Sequence, residues 1–154
     1  MHKRRTILSF ILVIIWMIVI FTMSSMTSEE SNGKSKEVIN TVVEQTNIEN
    51  TEETVNMLNV PVRKIAHASE YFILGLLIIN LIYSITNNKW KTIYYLISIL
   101  ICFLYACTDE YHQTFISGRT GQFIDVLIDT LGAILATIIC ILITKIIIKK
   151  EKQV

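Results

Sequence analysis

The sequence predicts an all-α polytopic membrane protein, a bundle of four transmembrane helices with a polar extracytoplasmic loop between the first and second. Three observations lead there. Apolar runs occupy residues 6–23, 65–85, 92–107 and 123–148, each reaching or approaching the ~20 residues that ~30 Å of hydrocarbon requires at ~1.5 Å per helical residue. Hydrophobic residues make up 52% of the 154-residue chain, more than a soluble domain of that length usually buries. Basic residues are distributed unevenly about these runs.

The first run follows Lys3, Arg4 and Arg5. It resembles a signal peptide in that respect, but it is long for one. Ser24, Ser25, Met26 and Thr27 give no small-x-small cleavage site, so an uncleaved first helix is expected. The stretch 24–61 is rich in Ser, Asn, Thr and Glu and forms the sizeable loop. Val38, Ile39, Val42 and Val43 repeat at helical spacing within it. A short amphipathic surface helix and a solvated linker both fit that pattern. Pro61 stands where the second helix is expected to begin. The runs 65–85, 92–107 and 123–148 are rich in β-branched residues. In lipid a segment must satisfy its own backbone hydrogen bonds, so all three are read as helices despite that strand propensity. Trp16, Trp90, Tyr94 and Tyr95 are expected at membrane interfaces.

An N-terminus inside the cell places Lys3, Arg4, Arg5, Lys89, Lys91, Lys145, Lys149, Lys150 and Lys152 on the cytoplasmic side. Lys34, Lys36, Arg63, Lys64 and Arg119 fall outside, a division of nine against five that accounts for all 14. Both termini are therefore expected in the cytoplasm. Net charge is +1 and argues for no nucleic-acid partner. Cys102, Cys107 and Cys140 show no metal-ligand spacing and are expected to be small core residues.

Three polar clusters break the apolar pattern. Arg63, His67 and Glu70 stand at i, i+4, i+7 and share a helix face, with Lys64 and Tyr71 beside them. Asp109, His112 and Gln113 share another face if the third helix continues, with Glu110 adjacent. Gly118 and Gly121 flank Arg119, followed by Asp125 and Asp129 at i, i+4 in the opening turns of the fourth span. Two like charges at that spacing repel unless a cation lies between them, so Arg119 is expected to be clamped by Asp125 or Asp129. The topology brings all three clusters to the outer membrane face. Charged groups inside spans are expensive and mark functional sites by default. A purely structural ion-pair network is the competing reading. No HExxH or comparable motif is present, and neither metal nor cofactor is expected.

These segments resemble the VanZ-like membrane proteins. The resemblance rests on Arg63-Lys64-x-x-His67-x-x-Glu70-Tyr71 with Gly75, on Asp109-Glu110-x-His112-Gln113-x-Phe115 with Gly118-Arg119, and on Asp125, Asp129 and Gly132. Phe21 to Ser25 is similar to the end of the family's first span. Ser117 stands where the family often has Pro, and Thr130 where it often has Asn. The resemblance implies one membrane domain over residues 1–154 in a bacterial cell envelope. It also implies a link to teicoplanin-type glycopeptide resistance, and it supplies no established reaction. The leading expectation is an outer-face pocket that binds an amphiphile with a polar head, either an antibiotic or an envelope lipid. In it Arg63, Lys64 and Arg119 meet anionic groups, while Glu70, Asp109, Asp125 and Asp129 position those cations. The alternative is an intramembrane enzyme acting on a lipid-linked phosphate or sugar, with His67 or His112 as acid/base, oriented by Glu70 or Asp109. A structural membrane subunit is the third reading.

Overall fold

The computed structural model describes residues 2–46, 49–87 and 91–151, with side chains described over 3–146 of these. Five helices make up the described chain: α1 (His2–Ser24), α2 (Ser28–Glu44), α3 (Glu52–Ile85), α4 (Thr92–Gln113) and α5 (Phe123–Glu151). All but α2 are long and apolar enough to cross a membrane, and the chain is a helical membrane bundle. Their lipid-facing surfaces carry the exposed Ile, Leu and Phe side chains, such as Ile18, Leu100 and Leu135.

The central helix is α3, which packs against each of the other four. Polar contacts fix the alternating direction of the spans. Thr6 and Ser84 share a hydroxyl hydrogen bond of 2.9 Å, and Asn80 donates to Ser9 at 3.0 Å, so the start of α1 lies beside the end of α3. Tyr95 donates to Thr144 at 3.4 Å, setting the start of α4 against the end of α5. Such interhelical bonds act as glue where lipid provides no hydrophobic drive. The start of α1 and the end of α5 therefore lie at one end of the bundle. The last turn of α1, the turns of α3 around Arg63, the last turns of α4 and the first of α5 meet at the other.

The long loop resolves in favour of the amphipathic helix. Thr27 and Glu30 form a capping box at the start of α2, with Thr27 N–H donating to Glu30 Oε2 at 2.8 Å and Glu30 N–H to Thr27 Oγ1 at 3.3 Å. The bond from Thr27 holds the Glu30 carboxyl below its usual pKa. Ile39 and Val43 turn inward and pack on Val55 of α3, with Leu58 and Val62 alongside, while Val38 and Val42 stay exposed. This satellite core corrects the expected start of the second helix. Thr51 caps α3 by accepting from Thr54 N–H at 3.2 Å, and Pro61 lies inside the helix. The turns before the proline persist because they bury an apolar face against α2.

The fourth helix runs six residues past the expected end at 107, because Asp109, Glu110 and Gln113 are buried by the helices around them. The indole N–H of Trp16 donates across the bundle to the carbonyl oxygen of Glu70 at 2.9 Å. Tyr95 is buried. Trp90 lies outside the described residues.

Small residues set the closest approach, between α3 and α5. A Cβ at Gly75 would sit 3.2 Å from the Ala136 methyl, and one at Gly132 would collide with the backbone carbonyl of Ala68. Gly132→Ala is expected to lower stability by about 1–3 kcal/mol, since backbone rather than a flexible side chain must yield. Thermal unfolding in detergent checks this; an unchanged midpoint would mean the helices are free to separate.

Candidate functional site

At the end of the bundle opposite the termini, α3, α5 and the α4–α5 connection surround a polar cavity of about 100 Å³. Arg63, Lys64 and His67 enter it from α3, Gln113 from α4, Arg119 from the connection, and Asp125 and Asp129 from α5. Ser28 at the start of α2 and Gln122 complete the wall. Each of the three sequence clusters contributes to it: Arg63, Lys64 and His67 from the first, Gln113 from the second, and Arg119, Asp125 and Asp129 from the third, while Glu70, Asp109 and His112 lie outside its lining.

The pairing differs from expectation. Lys64 Nζ, and not Arg119, holds Asp125, donating to Oδ1 at 2.7 Å. Arg119 Nη1 instead donates to Gln113 Oε1 at 3.0 Å, and among the described residues it forms no ion pair with Asp125 or Asp129. The correction is geometric. One turn of α5 separates the two aspartates, and Asp129 points into the bundle, where it is buried. Arg119 is carried by a connection with positive-φ Gly118 at its turn, so it reaches the cavity above α4. Partial burial, reinforced by Arg63, pushes the Arg119 pKa below its usual value, while Glu110, Asp109 and Glu70 oppose that push. A guanidinium nevertheless keeps its charge.

Glu110 organises the connection. Its Oε1 accepts from Gln113 Nε2 at 2.8 Å and its Oε2 from the Gln122 backbone N–H at 2.9 Å. Gln113 thereby orients its carbonyl oxygen toward Arg119, so one chain of hydrogen bonds runs from Gln122 through Glu110 and Gln113 to the guanidinium. Gly121 lies so close to the Glu110 carbonyl that a Cβ there would overlap it.

The two histidines separate. His67 Nδ1 lies 3.5 Å from Glu70 Oε2, and His67 borders the cavity. His112 turns away toward α1, stacking on Phe21 with ring centroids 4.4 Å apart, and its Nε2 lies 3.2 Å from Ser25 Oγ. The expectation that His112 shares a working face with Asp109 and Gln113 is thus corrected: those two are buried in the bundle, and His112 braces α4 against α1. Tyr71 is wholly buried below the cavity.

Beside the cavity lies an apolar groove of about 260 Å³ between α1, α2 and α3. Met23, Met26, Val38, Val62 and Ala66 line it, and Arg63, His67, Glu70 and Arg119 form its boundary. Arg63, His67 and Arg119 belong to both spaces. Sequence reading missed the contribution of α2. Asn32 accepts from Arg63 Nη1 at 3.3 Å and from Asn59 at 3.2 Å, and so fixes the guanidinium at the join. The capping box at Thr27 and Glu30 was the available sign that an ordered helix begins there.

Asp129, at the cavity wall, gathers with Asp109 and Glu110 behind it, with ligand oxygens all within 4.8 Å of one another. No sequence spacing signalled this group, because its members come from two helices.

Among curated proteins and among solved structures, none matches this chain. The family model described as VanZ/LLP1 matches residues 9–144, which takes in the two middle spans, most of the first and last, the α2 helix and every charged residue of the site. The chain belongs to the VanZ/LLP1 family.

Proposed function

We propose that this chain is a bacterial envelope membrane protein that binds an amphiphile through an anionic head group at the outer face of the membrane. The observation that carries the proposal is the shared wall. Arg63, His67 and Arg119 border both the polar cavity and the apolar groove, so a phosphate or carboxylate at the guanidinium groups leaves its attached chain beside Met23, Val38 and Val62. Guanidinium forks suit such oxyanions. The outer-face assignment follows from the basic residues: Lys3, Arg4, Arg5, Lys91 and Lys145 lie toward the opposite end of the bundle, the side on which cytoplasmic positive charge is expected. A polar-headed envelope lipid and a lipid-bearing glycopeptide of the teicoplanin type are both amphiphiles of this kind.

The test uses the purified full chain in nanodiscs of phosphatidylcholine, titrated with phosphatidic acid. Saturable binding at least about tenfold tighter than for added phosphatidylcholine is expected, and equal affinity for the two overturns the proposal. The glycopeptide branch is read separately by expressing the chain in a susceptible Gram-positive host. Unchanged sensitivity to both teicoplanin and vancomycin at confirmed membrane abundance removes that branch.

A second reading has its own observation. His67 is paired with Glu70 and borders both spaces, as an acid/base group acting on a lipid-linked phosphate or sugar would. His67→Gln keeps polarity without proton transfer. Loss of lipid-product formation with binding retained supports an enzyme, and no product from the wild-type chain overturns it.

A further inference from the structure

Behind the cavity wall, α4 and α5 bring three buried carboxylates together without a matching set of cations. Asp109, Glu110 and Asp129 are 3%, 7% and 1% exposed, and their nearest oxygens lie within 4.8 Å of one another. Of the nearby cationic groups, Lys64 holds Asp125, His67 lies 3.5 Å from Glu70, and Arg119 donates to the neutral amide of Gln113 and offsets the cluster's charge only from a distance, so among the described residues no cation bonds the three carboxylates directly. Both oxygens of Asp109 and one of Asp129 have no hydrogen-bond partner among the described residues. Unpaired buried carboxylates are strongly destabilising unless protonated or neutralised.

Two neighbouring hydroxyls give an independent sign of what belongs there. The Ser24 side chain, 1% exposed at the end of α1, lies beside Asp109. Tyr71, 0% exposed on α3, lies within electrostatic reach of Asp109 and Asp129. Both hydroxyl oxygens are buried; that of Tyr71 makes no hydrogen bond among the described residues, and that of Ser24 faces the Asp109 carboxylate. Two spans therefore bring three carboxylates to one place, and two more set the Ser24 and Tyr71 hydroxyls near Asp109, with no nitrogen or sulfur in the set. That is the donor chemistry of a hard divalent cation. Oxygens bound to one Ca²⁺ at roughly 2.3–2.6 Å lie no more than about 5 Å apart, a limit the three carboxylates meet. Glu110 retains a second lone pair on each oxygen beyond its bonds to Gln113 and Gln122.

We infer that Asp109, Glu110 and Asp129, joined by the hydroxyls of Ser24 and Tyr71, form a binding site for a divalent cation of the Ca²⁺ or Mg²⁺ type. Asp129 also lines the polar cavity, so the cation reaches its ligands through that opening and faces any anion held by Arg63 and Arg119. The site ties the end of α1, the middle of α3, the last turns of α4 and the first turns of α5 together. It stands on its own donors and does not depend on the head-group reading.

The experiment uses the purified full chain in detergent, stripped with chelator and titrated with Ca²⁺ and with Mg²⁺ alone. A saturable rise in unfolding midpoint of about 5 °C is expected at an excess of about 100-fold over the dissociation constant. Equilibrium dialysis with radioactive Ca²⁺ should give one bound ion per chain. Asp109→Asn and Asp129→Asn keep side-chain size and should each lose the bound ion and the shift, while Glu44→Gln on exposed α2 should keep both. Should an Asn variant fail to fold, Tyr-sensitised luminescence of Tb³⁺ bound to wild-type protein, displaced by Ca²⁺, reads the same site. Neither bound ion nor midpoint shift in the wild-type chain overturns the inference, as does a shift that both Asn variants retain. Phosphatidic acid binding measured in chelator separates this result from the head-group proposal: either can fail while the other stands.

Discussion

Glu110→Ala is expected to destabilise the protein by about 2–4 kcal/mol, a fall in unfolding midpoint on the order of 10 °C. Two charge-assisted bonds disappear together, those from Gln113 Nε2 at 2.8 Å and from the Gln122 backbone at 2.9 Å. Gln113 then loses the constraint that aims its oxygen at Arg119, so the whole α4–α5 connection loosens. One effect runs the other way, because removing a carboxylate relieves repulsion from Asp109 and Asp129. Glu110→Gln decides which effect wins. It keeps the size and removes the charge, but its amide presents a donor to the Gln113 amide. If Gln113 flips to accept it, Gln113 presents a donor to the guanidinium. A fall of about half that of Glu110→Ala is therefore expected. Unfolding in chelator, which excludes any bound cation, is the measurement, with proteolysis across residues 114–122 as the local readout. A midpoint at or above wild type for Glu110→Gln would show that repulsion dominates and the network is dispensable.

Much of the fold was legible because a bilayer imposes simple rules. Four apolar runs gave four spans, and helical spacing placed Arg63 with His67 at the cavity and Asp109 with Gln113 on the buried face of α4. What escaped depends on contacts between elements. The start of α3 at Glu52 was hidden because a proline normally signals a beginning, whereas here the preceding turns are sheltered by Ile39 and Val43 of α2. The end of α4 was hidden because hydropathy falls at Asp109 while burial does not. His112 obeys its helical register and still faces away, since Phe21 offers an aromatic surface that no spacing within α4 discloses. The exchange of partners between Lys64 and Arg119 is of the same kind: like-charge spacing in α5 showed that a cation was needed and could not say which helix supplies it.

Because Lys64 rather than Arg119 holds Asp125, variants of the two cations should separate cleanly. Lys64 holds Asp125 at 2.7 Å with side chains 31% and 24% exposed, so the pair is partly desolvated but not buried. Removing one partner of a buried pair costs roughly 3–5 kcal/mol and an exposed one contributes at most about 1. Lys64→Met should therefore fall between them, at about 1–2 kcal/mol, and Asp125→Asn on that background should restore part of the loss. Arg119 differs: its one side-chain bond goes to a neutral amide, its Nε has no partner among the described residues, and it shares the cavity with Arg63, a like charge. Arg119→Ala gives up a single bond and the attraction of Glu110, Asp109 and Glu70, but relieves the repulsion from Arg63 and the cost of burying the guanidinium, so these changes largely offset and stability should change by less than about 1 kcal/mol. Its effect should appear in binding, where loss of charge-assisted bonds to an anionic head group corresponds to a drop in phosphatidic acid affinity of about 10–100-fold. Arg119→Lys should recover only part of this, since an ammonium lacks the planar two-point contact. Unfolding midpoints and nanodisc titrations on the same four variants give both axes. If Arg119→Ala unfolds more readily than Lys64→Met while binding phosphatidic acid as well as wild type, Arg119 is a structural clamp and the cavity binds no anion through it.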